Sequence, residues 1–232
     1  MQSLYELNQE FRAQYAINAN IAARAKAYEL AARMQLTAPQ LVDFSNEPTH
    51  IKDMYGIGQD ATDGFGKQLI LARRLAEQGV RFIQICHGGG GNGDWDAHGD
   101  IDSHAPLCRA TDQPIAGLLR DLKQRGMLDE TLVVWTSEFG RTPWSQNTTG
   151  RDHNPRGYSS WLAGGGIKGG TVHGATDDVG YKAVEDPHYY SDLHATILRQ
   201  LGLDHRHLEV TVQGRPVRLV EEGFGPIMAV IG

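Results

Sequence analysis

Asp96 and His98 stand two positions apart in DWDAHGD, residues 94–100. In extended chain such residues face the same side, so one carboxylate and one imidazole could reach a single cation. A second acid and imidazole, Asp152 and His153, adjoin in GRDHNP, residues 150–155. Glu138 belongs to a third group, TLVVWTSEFGRTP, residues 131–143. There the apolar run Leu132–Trp135 reads as a buried strand, and Thr136, Ser137, Glu138, Gly140 and Arg141 follow its carboxyl end. In open α/β sheets that end faces the ligand crevice. Each Asp–His pair taken singly is also what turns and helix caps use. Three acid-bearing loops that follow strands of one sheet would converge, and a divalent cation (zinc, calcium, magnesium or manganese) would neutralise them and polarise an ester oxygen. Arg141 and Arg151 flank the same loops. A guanidinium fork fits a phosphate or sulfate oxyanion bidentately, and surface ion pairing is the equal alternative for both.

The elements that must position these loops follow from periodicity. Residues 3–36 carry spaced apolar residues among many alanines, without Pro or Gly, and read as one helix or two. A helix near 64–78 ends at Gly79, and VRFIQIC (80–86) follows as a strand. A helix near 112–125 closes at Gly126, and the strand beginning at Leu132 comes next. Strand, helix and strand in that order make a βαβ unit, so the two strands are expected to be parallel. YSSWLAGGG reads as a further strand, residues 191–201 as a helix, and LEVTVQGRPVRLV as a C-terminal hairpin around a Gly turn. The expectation is one α/β domain over residues 1–232, helical over 1–60 and sheet-bearing over 61–232. His194 in the last helix reads as a supporting or core histidine, and Cys86 and Cys108 as buried thiols.

Several function classes are disfavoured. The formal charge of −6 leaves no basic stripe for nucleic acid. No apolar stretch nears the roughly 18 residues of a membrane span, and MQSLYELNQEF has neither the charged nor the apolar region of a signal peptide. The two cysteines form no CxxC pair. Gly88, Gly90 and Gly93 match a dinucleotide fingerprint literally, but a polar loop follows where a helix must open. GGGIKGGT lacks the Lys-Ser/Thr of a phosphate loop and reads as a flexible turn.

GMLDETLVVWTSEFGRT resembles the segment of the sulfatase and alkaline phosphatase superfamily in which a strand ends in Thr-Ser-Asp and the Asp joins the metal site. FGKQLILARRLAEQGVRFIQICHGGG, WDAHGD, SEFGRTP, GRDHNP, WLAGGGIKGG, GYKAVEDP and DLHATILRQLGLDH resemble more closely the sulfatase-like proteins of domain of unknown function family 1501. That resemblance implies an alkaline-phosphatase-like α/β/α sandwich and a metal-dependent hydrolase site. By position, Asp96 and His98 would form one metal-binding loop, Glu138 the acidic ligand and His153 a late imidazole ligand, with Asp152 beside it. Phe139 departs from the pattern, since many superfamily members carry a second ligand directly after the acid. Family members also begin with a further segment whose strand ends in a Gly-rich turn and an Asp. The chain is therefore expected to match the C-terminal part of the family domain, with its sandwich incomplete at the N-terminus. A nucleophile outside it and an unpaired sheet edge prone to self-association would follow. The expected function is hydrolysis of a phosphate or sulfate monoester of a small molecule or carbohydrate, with Arg141 stabilising charge on the reacting group. The resemblance also suggests an exported protein. The alternative is a non-catalytic binding or interaction module that keeps a degenerate site.

Overall fold

The computed structural model describes residues 23–29, 31, 32, 41–88 and 94–232. The chain divides into two compact units, Met1–Pro48 with Leu71–Ile83, and Thr49–Ile70 with Gln84–Gly232. In the first, residues 23–29, 31 and 32 are helical, in keeping with the expected N-terminal helix, whose other residues lie outside those described. Its polar centre is Glu47. The carboxylate receives Arg73 Nη2 at 2.6 Å and Arg74 Nε at 2.9 Å. Burial pushes the Glu47 carboxyl up, but the two guanidinium hydrogen bonds outweigh burial and hold it below the usual range. Among the described residues no helix is long and apolar enough to cross a membrane.

The second unit carries the candidate site. Helix α1 (Thr49–Met54) leads to α2 (Asp63–Glu77), which contributes residues to both units, and α3 spans His104–Gln124. The expected helix near 112–125 thus begins eight residues earlier and runs through Pro114, which removes one backbone bond without ending it. At Gly117 a Cβ would meet Met54 O at 2.6 Å, so the absence of a side chain lets α3 approach α1. Gln113 Nε2 donates to Asp53 O at 2.7 Å, and the buried Tyr55 hydroxyl donates to Asp121 Oδ2 at 3.0 Å. Tyr55, Leu69, Ile70, Leu118 and Leu122 are the apolar core residues of this packing.

Strands β1 (Val133–Trp135), β2 (Gly140–Arg141), β3 (His153–Asn154), β4 (Trp161–Ala163), β5 (Ala175–Thr176) and β6 (Ala183–Glu185) precede helix α4 (Tyr190–Gln200). Strands β7 (Glu209–Val212) and β8 (Arg215–Arg218) follow it. The fold is mixed helix and sheet, as expected, but the parallel βαβ unit is not formed. The described strands make four two-stranded sheets, β1–β4, β2–β3, β5–β6 and β7–β8, and each is antiparallel. Residues 80–88 carry no strand, and Phe82 is 68% exposed. An apolar run becomes a strand only where a neighbour takes up its N–H and C=O groups. In this structure β4 pairs with β1, setting Val133 opposite Ala163 and Trp135 opposite Trp161. The cysteines follow the same correction: Cys86, in the unpaired segment, and Cys108 on α3 are both exposed. The C-terminal hairpin forms where expected, with Gln213 and Gly214 both at positive φ between β7 and β8, the backbone of a tight primed turn.

Candidate metal centre

Two loops make the site, and neither depends on a large sheet. The first, around residues 94–100, is anchored at its start by aromatic contacts. His104 Nε2, at the start of α3, donates to Trp95 O at 2.8 Å, and the two rings meet edge to face at 5.2 Å. On the other side Trp95 Nε1 donates to His87 Nδ1 at 3.1 Å, and the His87 ring meets Phe65 of α2 at 4.7 Å. An indole N–H can only donate, so His87 Nδ1 is the acceptor that holds the indole, and burial lowers the His87 pKa, opposed by the Asp94 charge. Past Trp95 the chain does not stay extended. His98 N donates back to Asp96 O at 3.1 Å, a three-residue turn centred on Ala97, which is buried. Burial of Ala97 leaves Asp96 and His98 as the polar pair of this turn.

The second loop is an irregular hairpin from Gly140 to Asn154. Arg141 lies directly opposite His153 in the β2–β3 ladder, and Thr142 N extends the ladder by donating to Asp152 O at 2.9 Å. Opposed residues on an antiparallel pair project from the same face, so an arginine and a histidine leave the ladder together. At the hairpin tip Gln146 pairs with Gly150. The tip then grips the first loop: Arg151 N donates to Ala97 O at 3.0 Å, Asn147 Nδ2 to His98 O at 3.1 Å, and Thr149 pairs with Asp100. Gly150 is required at this crossing, because a Cβ there would overlap the His98 carbonyl.

The result is a triangle of donor atoms. Asp96 Oδ1 lies 3.0 Å from His98 Nε2 and 3.0 Å from His153 Nε2, and the two nitrogens are 3.1 Å apart. Donors bound to one cation at 2.0–2.2 Å stand about 2.8–3.6 Å from each other, so these separations match the edges of a coordination polyhedron. Gln146 Oε1 lies 2.6 Å from His98 Nδ1. An amide oxygen can only accept, so Nδ1 carries a proton and Nε2 turns its other face to the cluster. Such a partner on the far nitrogen is what orients metal-binding histidines. Arg141 Nη2 also reaches Asp96 Oδ1, at 2.7 Å. The His153 hydrogen bond, and then that of Arg141, hold the Asp96 carboxyl down to about 2. The side chains of Asp96, His98 and His153 are 51%, 37% and 43% exposed, which leaves the triangle open to an incoming ligand.

Among the sequence candidates the structure thus gathers Asp96, His98 and His153 into one group that could hold a metal ion, with Arg141 against it. Asp152 stays at the margin: Oδ1 accepts from His153 N at 2.8 Å and lies 4.0 Å from His98 Nδ1, the nitrogen facing away from the triangle. Glu138 is not brought into the triangle. It is exposed, and its Oε2 accepts from Ser137 Oγ at 2.9 Å. Phe139 instead lies beside the cluster, its ring 4.2 Å from that of His153. Arg151 braces its own loop by donating to Thr149 O and Gly150 O. His194 is exposed on α4, with Tyr190 as its ring neighbour, and is neither core nor support for the site. Gln146 and Gly150 are the functional positions that sequence reasoning missed. Their only signal is their place in a polar, Gly-containing turn just before His153.

The family model described as "Protein of unknown function (DUF1501)" matches residues 1–231. The chain belongs to that family. No curated protein and no solved structure matches it. In this DUF1501 protein the segments WDAHGD and GRDHNP therefore supply the donor triangle, and SEFGRTP supplies the arginine against it.

Proposed function

We propose that this DUF1501 protein is a metal-dependent hydrolase of phosphate or sulfate monoesters, of the alkaline phosphatase and sulfatase type. The observation that carries the reading is the triangle of Asp96 Oδ1, His98 Nε2 and His153 Nε2 with Arg141 on the same carboxylate oxygen. Asp96, His98 and His153 would hold a divalent cation. Two imidazoles beside one carboxylate favour a borderline ion such as zinc over calcium. When bound, such an ion polarises an ester oxygen and lowers the pKa of an attacking hydroxyl or water. Gln146 keeps His98 in the tautomer that presents Nε2. Arg141 puts a planar cationic donor next to the cation position, so an oxyanion bound there meets positive charge from two sides. An ester of a small molecule or carbohydrate suits the open, solvent-facing triangle.

A second reading, a binding module without catalysis, is favoured by one contact: the Phe139 ring lies on His153 at the place where the superfamily pattern has another ligand. Metal analysis of the purified protein, with a panel of aryl phosphates and aryl sulfates, separates the two. Hydrolysis that depends on added metal and is lost in Asp96→Asn and His153→Ala supports the enzyme. Stoichiometric metal without turnover of any ester supports the binding module and overturns the enzyme.

A further inference from the structure

A second pair of histidines lies outside the triangle, and the β5–β6 hairpin creates it. Ala175 of β5 pairs with Glu185 of β6, with an irregularity in register at Ala175 and Thr176. His173 lies just before β5 and His188 just after β6, so zipping the hairpin draws together two residues 15 positions apart. Close approach at this end is secured by Gly174, where a Cβ would meet Glu185 O at 3.1 Å. His173 Nε2 and His188 Nε2 then stand 2.9 Å apart, with ring centroids at 5.1 Å. The far nitrogen of His188, Nδ1, faces Asp192 Oδ2 at 3.6 Å. That carboxylate is itself fixed, accepting from Tyr189 N at 2.9 Å and from Gly225 N at 3.0 Å. A fixed carboxylate at ion-pairing distance behind one imidazole, whose near nitrogen meets a second imidazole nitrogen, gives the pair a net negative neighbour that favours a cation.

We propose that His173 and His188 form a second site for a borderline first-row divalent cation, such as zinc, nickel or copper(II). Asp192 sets negative charge behind His188 at 3.6 Å, and water completes the coordination. Two imidazole nitrogens select these ions over magnesium and calcium, which prefer oxygen. Their 2.9 Å separation falls within the roughly 2.8–3.6 Å spacing of donors on one ion. The site is accessible, since the His188 side chain is 34% exposed and the adjoining Val172 is 93% exposed. The inference is independent of the hydrolase reading, since no residue of the triangle takes part in it.

The test is calorimetric titration of the metal-free full chain with zinc chloride. An Asp96→Ala, His153→Ala background removes the triangle. One equivalent of zinc is expected to remain there, with magnesium showing no binding. Adding His173→Ala or His188→Ala to that background should weaken zinc at least tenfold, with the fold checked by circular dichroism. In the unsubstituted chain, zinc should shift the side-chain imidazole resonances of His173 and His188 in a nitrogen-15 spectrum, a readout that needs no substitution. Absence of zinc binding at millimolar concentration in the background, a loss smaller than tenfold, or unmoved His173 and His188 resonances overturns the proposal.

Discussion

Gly150→Ala isolates the crossing of the two loops that builds the donor triangle. The three atoms nearest the added Cβ are all backbone: the His98 carbonyl, which it overlaps, and Gly99 N at 2.7 Å. No flexible side chain can swing aside to absorb it. Ordinary contact begins near 3.4 Å, so the Gly99 contact alone forces the loops apart by at least about 0.7 Å, and overpacking of this kind costs about 1–3 kcal/mol. The same displacement carries His98 away from His153, whose Nε2 atoms are 3.1 Å apart. Misplacing one of three ligands on this scale should weaken the metal about 10- to 100-fold, the range seen when a ligand's support is lost, or about 1.4–2.7 kcal/mol. Zinc affinity measured by calorimetry, alongside thermal unfolding of the metal-free protein, reads both effects. Gly99→Ala is the control, because a Cβ at Gly99 meets nothing within 4 Å. Equal losses in the two variants, or parental zinc affinity in Gly150→Ala, would refute the claim that this backbone crossing sets the ligand geometry.

Three further outcomes follow from single contacts. Gln146→Leu removes the acceptor on His98 Nδ1 and should weaken zinc about 10- to 100-fold with little change in thermal stability; unchanged affinity would mean that the amide does not orient the ring. The Asp96 carboxyl, held at about 2 by His153 and then Arg141, should titrate higher in His153→Ala and, by a smaller step, in Arg141→Met, followed by carbon-13 NMR of its side chain. Because the folded value lies below the unfolded one, the stabilisation linked to Asp96 is present above the unfolded pKa, near 3.9, and is lost as pH falls towards 2. Stability that changes identically with pH below 4 in parent and His153→Ala would contradict that linkage. Tyr55→Phe deletes the buried hydrogen bond to Asp121 Oδ2 at 3.0 Å and should cost about 1.5–3 kcal/mol, since the acceptor is a carboxylate; a loss under about 0.5 kcal/mol in chemical denaturation would show that the contact is not a net stabiliser.

The sequence by itself determined the elements whose signals are local. Helical periodicity with glycine after the last turn marked α2 and the end of α3, where Gly79 and Gly126 take positive φ. Alternation around Gln213-Gly214 marked the terminal hairpin. Residue chemistry likewise marked Asp96, His98, Glu138, Asp152, His153 and Arg141 as candidates, although each Asp–His pair by itself is equally what turns and helix caps use. What joins them was not legible. The sequence argued convergence from parallel strands of one sheet, yet the described strands pair only as antiparallel couples. Strand partners are long-range choices, and an apolar run such as Phe82–Cys86 carries no mark of whether a neighbour will complete it. Tertiary structure instead brought the loops together by backbone bonds of Ala97 with Arg151 and of Asp100 with Thr149, and by the Asn147 side chain on His98 O, with Gly150 leaving room for the His98 carbonyl. It also left Glu138 outside the triangle and admitted Gln146 to its rim, because the ladder that sets Arg141 opposite His153 fixes which side chains share a face. Spacing along the chain says which residues can turn the same way, and only the pairing of distant backbone decides which of them meet.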